Sequence, residues 1–548
     1  MDGRFVDWQN VPLNIPDPVG DGNTHDFTGM KITNDDRYLY LKISFDALVT
    51  LQDFNNINLY IDTDNNSSTG FSAGEIGADL RWTFGAKSGS YHFNAIRHKE
   101  IGLVTLPTHS SDTFEIAIAR STAFLHNIFL SDTIRLFLED TDNNGDRIPN
   151  TSYVTYVFTP NPNPPADISL DKTDAAHLRL MSYNILFDSP LKPGKQPYFQ
   201  RIFSATQPDI ICFNEFFNST AVQVKTAMDS YLPLNNDHGW YTVMLDQGNV
   251  TASRYPILQS WLILPDHRLT ATLIDLPAHL GENMLVINAH FRCCTNDAMR
   301  QKEADALAAF LEDMKNPGGR ITLTAGTPVI LAGDLNLVGH RQQLTTILTG
   351  EIQDTTTFGT AGPPDWDGTS LEDLISQQVD NNMAYTWRSE SSVFSPGRLD
   401  YIIYTNSALE VKKNFILQTE SMSGARLAQY SLLPDDTREA SDHLPVVVDF
   451  VFSSATGIRT PIEDQVLLKY FPNPVKNHLT VEVEFSATTS ANIYLTDMMG
   501  KMIRPIAEED FRPGIYSFTI DLSSLAGGVY LLQVQENSMK FVKKIIRF

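Results

Sequence analysis

Cysteine is scarce in this chain: there are 3 among 548 residues, too few for a disulfide framework. Cys212 sits in an apolar run and reads as a core residue. The adjacent Cys293 and Cys294 leave two readings open, a strained vicinal disulfide or two free thiols. Long apolar runs are absent as well. No stretch approaches the roughly 20 residues that a membrane-spanning helix needs. The opening Met1-Asp2-Gly3-Arg4 has neither the basic start nor the apolar segment of a signal peptide. That points either to a cytosolic protein or to a mature form whose leader has been removed. Basic residues are the minority, 41 against 65 acidic ones, for a net charge of −24. Such a surface repels polyanions at long range and argues against tight, nonspecific nucleic-acid binding. It suits an extracellular protein loaded with cations. No basic, aromatic-interleaved stretch of the kind that grips single strands is present.

What is present divides into segments. At 42% apolar residues the chain is long enough for about three domains. Residues 1–160 alternate apolar and polar side chains in short runs such as Tyr38-Leu39-Tyr40-Leu41-Lys42-Ile43 and Ile134-Arg135-Leu136-Phe137-Leu138. With Asn/Asp/Gly turns between them and no long amphipathic helix, they predict a β-sandwich. Residues 161–177 form a Pro-rich linker that begins stiff and extended. Residues 178–452 mix buried strands with helices; Leu307, Phe310, Leu311 and Met314 make one helical stripe, with Asn296 as a candidate cap. Residues 453–465 make a second linker. Residues 466–548 return to short strands and turns, a second sandwich.

The middle segment carries short polar motifs, most of them at the end of an apolar run. In order they are Ser182-Tyr183-Asn184, Phe213-Asn214-Glu215, Ser253-Arg254-Tyr255-Pro256, Asn288-Ala289-His290, Gly333-Asp334-Leu335-Asn336, Arg398-Leu399-Asp400-Tyr401 and Ser441-Asp442-His443. Ends of buried strands are where a rigid sheet presents polar groups to a ligand. Singly, Gly-Asp-Leu-Asn reads as a turn and Ser-Asp-His as a cap. The ordered set resembles the endonuclease/exonuclease/phosphatase superfamily, the DNase I-like phosphoesterases. That resemblance implies a central α/β four-layered sandwich, two packed sheets flanked by helices, lying between the two all-β domains. It implies a divalent-metal-dependent hydrolase that cleaves P–O esters with an activated water, a phosphodiesterase or nuclease first. The alternatives are a sphingomyelinase-like phospholipid or small-phosphoester hydrolase, or a non-catalytic surface glycan-binding protein.

By the same resemblance, Mg²⁺ (or Mn²⁺ or Ca²⁺) is held at Glu215 and Asp442, with Asn184 beside the metal. Asp334 activates the water and Asn336 steadies phosphoryl oxygens. His443 contacts the scissile phosphate and is oriented by Asp400. His290 assists the leaving group, with Asp246 as its guessed partner. Arg254, Arg292 and Trp366 are the candidate substrate contacts, and Trp366 and Trp387 bracket a loop expected to overhang the cleft. Nucleic acid, phospholipid head groups and small phosphoesters all remain open as substrates. A monomer is expected.

The N-terminal segment loosely resembles carbohydrate-binding β-sandwiches, which makes a glycan a candidate partner. Its loops Asp62-Thr63-Asp64 and Asp140-Thr141-Asp142-Asn143-Asn144-Gly145-Asp146 place oxygens at alternate positions, as Ca²⁺ loops do. Asp62, Asp64, Asp140, Asp142, Asn144 and Asp146 are therefore candidate ligands of a structural Ca²⁺, although such loops are also ordinary hairpin turns. The last segment, with Tyr470-Phe471-Pro472-Asn473-Pro474 at its start and Lys543-Lys544-Ile545-Ile546 at its end, looks like the type IX secretion (Por) sorting domain. That implies export by the type IX machinery to the surface or surroundings of a Gram-negative bacterium of the Bacteroidota type.

Overall fold

The structure is a computed structural model. It describes residues 1–452 except 161, 162, 278, 282 and 317, and residues 466–548 except 472, 486–488, 498–500, 513 and 537–538. The second linker, 453–465, lies outside the described residues, as do positions 161 and 162 of the first. Two compact units result, Met1–Ser453 and Ser454–Phe548.

In the first unit, residues 1–160 fold as two facing antiparallel sheets. One has five strands in the order Asn14–Pro16, Phe27–Asn34, Tyr38–Val49, Ser111–Ala119, Val104–Leu106. The other centres on Thr133–Asp140 and Ile57–Asp62. The predicted runs all fall on strands, because their alternation puts one set of side chains into the sandwich core. Leu39, Leu41, Ile43, Ile116 and Ile118 fill that core. The alternate residues of the five-stranded sheet, Tyr40 and Ala117, with Val104 and Leu106, join a different cluster that also contains Leu180, Val286, Ile330 and Val448. The N-terminal sandwich is thus packed by its second face onto the middle of the chain. The segment after position 162 does not hold two bodies apart; Leu170 is buried in the core of the middle domain.

Residues 178–452 form two six-stranded sheets. The first runs Tyr241–Val243, Gly248–Ser253, Ile210–Phe216, Leu178–Asn184, Val446–Phe452, Leu409–Ile416. The second runs Ile257–Leu264, Leu269–Asp275, Asn283–His290, Val329–Asp334, Asp400–Tyr404, Glu372–Asp373. Each has one central parallel pair: Leu178–Asn184 with Ile210–Phe216, and Asn283–His290 with Val329–Asp334. Helices Gln196–Thr206 and Ala221–Tyr231 cover the outer face of the first sheet. Helix Asp297–Asp313, carrying the predicted Leu307–Phe310–Leu311 stripe, covers the second. This is the four-layered α/β sandwich.

The inner faces explain the motifs. Along each strand the side chains that meet between the sheets are apolar first and polar last: Leu180, Ser182, Asn184; Ile210, Cys212, Asn214; Val286, Asn288, His290; Ile330, Ala332, Asp334. The period of two keeps each series on one face. One end of the inter-sheet layer is therefore a dry core and the other a buried polar floor.

In the second unit, strands Val466–Phe471, His478–Phe485 and Gly514–Asp521 form one sheet. Met502–Phe511, Thr489–Thr496, Gly528–Glu536 and Met539–Arg547 form another. Val481, Val483, Ile493, Leu495, Leu532 and Val534 are in the core of this sandwich.

Candidate active site

Backbone register alone brings three of the predicted groups side by side. His290 is the parallel partner of Asp334, and Asp400 its antiparallel partner on the other edge. Asn184 comes from the opposite sheet. Its amide nitrogen donates to Glu215 Oε1 and to Asp334 Oδ2, each at 3.1 Å. Carboxylates of two different sheets are thus held by one –NH₂ group, no further apart than two hydrogen-bond lengths.

Glu215 would point away from the layer if its strand were regular, since Ile211 and Phe213 face the outer helices. A bulge between Asn214 and Phe216 and a left-handed φ of 77° at Glu215 turn it inward. Bulges re-aim side chains in this way. Leu186, Phe187 and Asp188 follow with φ of 53°, 52° and 57°. Their amides hold the site: Leu186 N–H donates to Asn184 Oδ1 at 3.2 Å and Phe187 N–H to Glu215 Oε2 at 3.0 Å. Three consecutive non-glycine residues in this conformation store strain, typical of a site that its surroundings over-determine.

Asp334 is only 2% exposed. Burial raises its carboxyl to about 7, against the pull of the nearby His443. Its Oδ2 lies 3.6 Å from His290 Nε2 and 3.7 Å from His443 Nε2. Asp400 Oδ2 meets His443 Nδ1 at 2.8 Å. Burial alone would drive His443 towards the neutral form, but Asp400 and Asp334 outweigh it and raise its imidazolium to about 10. His290 goes the other way. Burial, with Arg268 and His443 beside it, holds it well below 6.5. The two histidines facing one carboxylate therefore carry different charges at neutral pH. Asn336 N–H donates to Asp334 Oδ1 at 3.0 Å, and its amide to the Phe291 carbonyl at 3.1 Å.

Asp442 Oδ2 accepts from the Trp387 indole at 3.1 Å, whereas its Oδ1, like Asp400 Oδ1 and His290 Nδ1, is buried without a hydrogen-bond partner. Such orphans are expected where an ion or substrate completes a site. The carboxylate oxygens of Glu215 and Asp442 are hard donors suited to Mg²⁺, which needs only one or two carboxylates because it keeps several waters; the Asn184 –NH₂ faces Glu215 as a hydrogen-bond donor and not as a ligand. Asp400 is fixed from behind: Thr386 Oγ1 accepts the amides of Leu399 and Asp400 at 3.0 and 2.9 Å.

Three predicted contacts fall elsewhere. Arg254 follows its strand at the end remote from Asp334. Its Nε donates to the Pro208 carbonyl at 2.9 Å and lies 3.7 Å from Asp209, a structural ion pair rather than a substrate contact. Trp366 bonds the Thr327 carbonyl at 2.7 Å, just before the strand whose far end bears Asp334, so its loop covers the wrong end of the sheet. Asp246 does not reach the His290 ring; it accepts the Arg268 amide at 2.7 Å. Arg292 stays at the rim, its Nη2 on the Asp266 carbonyl at 2.8 Å. Cys293 and Cys294 are free and exposed.

Other residues of the site carry no motif-level signal of their role. Asn214 Oδ1 accepts the Asp334 amide at 3.0 Å, and its –NH₂ donates to Asn249 at 3.1 Å and Asn288 at 2.9 Å. Two of these asparagines are visible inside motifs; what they bond is not. Arg268, on the turn before Leu269, stands in no motif, yet its charge bears on His290, Asp334 and Glu215.

The N-terminal acidic loops draw in residues distant in sequence. Among the described residues, three groups of donors lie within 4.8 Å of one another: His25, Asp140 and Asp142; Asp17, Asp21 and Asp146; Asp62, Asp64 and Asp79. Asn144 contributes a carbonyl to the Asn23 amide at 3.2 Å. The carboxylates of the active site are not among these groups.

In comparison with known proteins, residues 181–443 match the family model described as Endonuclease/Exonuclease/phosphatase family, and residues 469–547 that of a secretion system C-terminal sorting domain. No curated protein matches by sequence. Among solved structures, an endonuclease/exonuclease/phosphatase from Beutenbergia cavernae is 16% identical, covering 67% of this chain and 100% of its own, with a TM-score of 0.33. Sphingomyelinase C from Streptomyces griseocarneus is 18% identical over 50% of this chain and 99% of its own, TM-score 0.30. A beta toxin from Staphylococcus aureus with bound magnesium ions is 16% identical over 50% and 99%, TM-score 0.29.

Proposed function

Because residues 181–443 belong to the endonuclease/exonuclease/phosphatase family and residues 469–547 form a secretion sorting domain, we propose that this is a secreted, divalent-metal-dependent phosphodiesterase. The observation that carries the reading is the Asn184 amide shared by Glu215 and Asp334, which closes one polar site across two sheets. A divalent cation at Glu215 and Asp442, when bound, would neutralise phosphoryl charge and polarise the P–O bond.

Asp334 has the position and the near-neutral affinity for protons that a general base needs. It takes a proton from water as the water oxygen attacks phosphorus and the P–O bond to the leaving group breaks. His443, held as an imidazolium by Asp400, is a cation preorganised for the charge that develops on phosphoryl oxygens. His290 enters neutral; a neutral imidazole still donates one N–H hydrogen bond to the departing oxygen. Asn336 holds Asp334 through its backbone amide, and the charge of Arg268 bears on His290.

A phosphodiester is the first substrate class because His443 and His290 both reach Asp334 Oδ2, at 3.7 and 3.6 Å, which offers one group for the phosphoryl charge and one for the leaving oxygen. The net charge of −24 favours small or membrane-bound esters over long polyanions, so a phospholipid head group is the second reading. Bis-p-nitrophenyl phosphate cleavage, abolished by EDTA and by Asp334→Ala, tests the first claim. Plasmid DNA, RNA, sphingomyelin and a phosphomonoester, compared side by side, separate the classes. An inert wild type with Mg²⁺ or Mn²⁺ on all of them sinks the reading. We further propose that the type IX machinery of a Bacteroidota-type bacterium reads the sorting domain, and that the acidic N-terminal loops bind Ca²⁺.

A further inference from the structure

One loop of the N-terminal sandwich reaches the strand ends beside the candidate site, while His98, Thr105 and Gln52 bond the neighbouring Ser392 and Ser395. The Thr108 hydroxyl, after the Val104–Leu106 strand, donates to two carbonyls at once: Leu337 at 2.8 Å and Arg398 at 3.1 Å. These carbonyls stand just beyond the ends of two paired strands, whose last backbone bond runs from Leu335 N–H to the Leu399 carbonyl at 2.9 Å. Leu337 follows Asn336, which bonds Asp334. Arg398 lies two residues before Asp400, which orients His443. The approach is close enough to require a glycine. A Cβ on Gly397 would lie 2.3 Å from Thr108 Cγ2. Gly397 is in turn locked to Trp387 by two backbone bonds, of 3.0 and 3.1 Å. Neighbouring contacts extend the seam without reaching those strand ends: Ser110 N–H donates to the Gly339 carbonyl at 2.7 Å, and Arg341 N–H to Ser110 Oγ at 3.0 Å.

We propose that Thr108 is a positioning residue for catalysis, a hydroxyl clamp by which the accessory sandwich anchors the paired ends of the strands that carry Asp334 and Asp400. The inference rests on the phosphodiesterase reading above. Two carbonyls, that of Leu337 in a wholly buried residue, share one proton donor. Without it both segments lose their common anchor beyond the Leu335–Leu399 backbone bond, and sub-ångström misplacement of base against phosphate is costly. The sandwich is then part of the enzyme rather than a module carried beside it.

The test is steady-state kinetics of the full chain on bis-p-nitrophenyl phosphate with Mg²⁺ or Mn²⁺. Thr108→Val keeps the shape and removes the hydroxyl. It is expected to lower kcat about tenfold, with KM and the thermal midpoint nearly unchanged. Thr108→Ser, which keeps the hydroxyl, should restore most of the rate. Gly397→Ala, which presses a methyl group against Thr108, should reproduce the loss. Ser110→Ala, at the same seam, should leave kcat intact. Equal rates for the valine and serine variants, or a fall in kcat for Ser110→Ala as large as for Thr108→Val, would overturn the clamp. An active wild type with unaffected Thr108→Val and Gly397→Ala defeats this inference alone; a wild type inert on every ester defeats the parent reading with it.

Discussion

Acidic residues converge in two regions of this protein, and they are arranged differently. At the active site, Glu215, Asp334, Asp400 and Asp442 are interleaved with groups that answer them: an asparagine amide, two imidazoles and an indole. In the N-terminal sandwich the carboxylates gather in threes, one of the three groups completed by His25, with donor atoms within 4.8 Å of one another. Asp17 there is raised to about 7 by burial and by Asp146 and Asp21. The first arrangement makes each carboxylate chemically distinct. The second sets like groups side by side; His25, His92 and Arg135 stand against Asp140, Asp79 and Asp62, and a bound cation or a proton would relieve the repulsion that is left.

The largest break in the comparison is at Asp334. Asp334→Ala should cost about 10³-fold in kcat without lowering the thermal midpoint, because a buried charge has been removed. Activity against circular dichroism melting checks both halves. Next is Asp400→Asn. Losing the carboxylate beside Nδ1 lets His443 fall towards its ordinary value, so the alkaline limb of the pH–rate profile moves to lower pH and kcat drops about 10²-fold.

In the wild type the profile itself is informative. Asp334 must be unprotonated to accept a proton, so log kcat/KM should rise with pH up to about 7. It should then stay level until His443 loses its proton near 10. Divalent metal adds positive charge to the site and should shift the lower limb to more acid pH. A profile that falls between pH 6 and 8 would contradict these roles.

The other side of the comparison predicts stability rather than rate. Ca²⁺ at about 100 times its dissociation constant adds about 2.7 kcal/mol to a folded protein, a rise of several degrees in the melting of the first unit. Asp62→Asn with Asp79→Asn should remove part of that rise and leave kcat unchanged. The smallest effect is expected at Arg254, where alanine should alter the rate less than about twofold and cost a surface pair's roughly 1 kcal/mol.

Much of the site could be read from the chain because the inner faces turn from apolar to polar at one level. A run such as Val329-Ile330-Leu331-Ala332 followed by Gly333-Asp334 is a buried strand ending in a presented carboxylate, and register did the rest. The four-layered core was legible for the same reason. Arg254 and Trp366 misled because a motif gives a residue's type and not which end of its strand it occupies. Arg254 leaves the sheet where Asp209 enters it. Arg268 and Thr108 gave no signal at all. One acts from a turn and the other from a different domain, and only folding brings their contacts together. The acidic loops were visible, but His25, Asp17, Asp21 and Asp79 were not, since they join from elsewhere in the chain.

The asparagines beneath the site have a consequence for how the protein can fail. Asn214 and Asn249 belong to one sheet and Asn288 to the other; the buried Asn214 –NH₂ donates to both other side chains, and Asn249 –NH₂ to the Asn288 backbone carbonyl. They act as a rivet through both layers, directly under the Asp334 amide. Neither layer can slide against its mate without tearing that rivet, so catalytic geometry and the integrity of the whole sandwich should be lost in a single event upon heating, with no warm, folded, idle form between them.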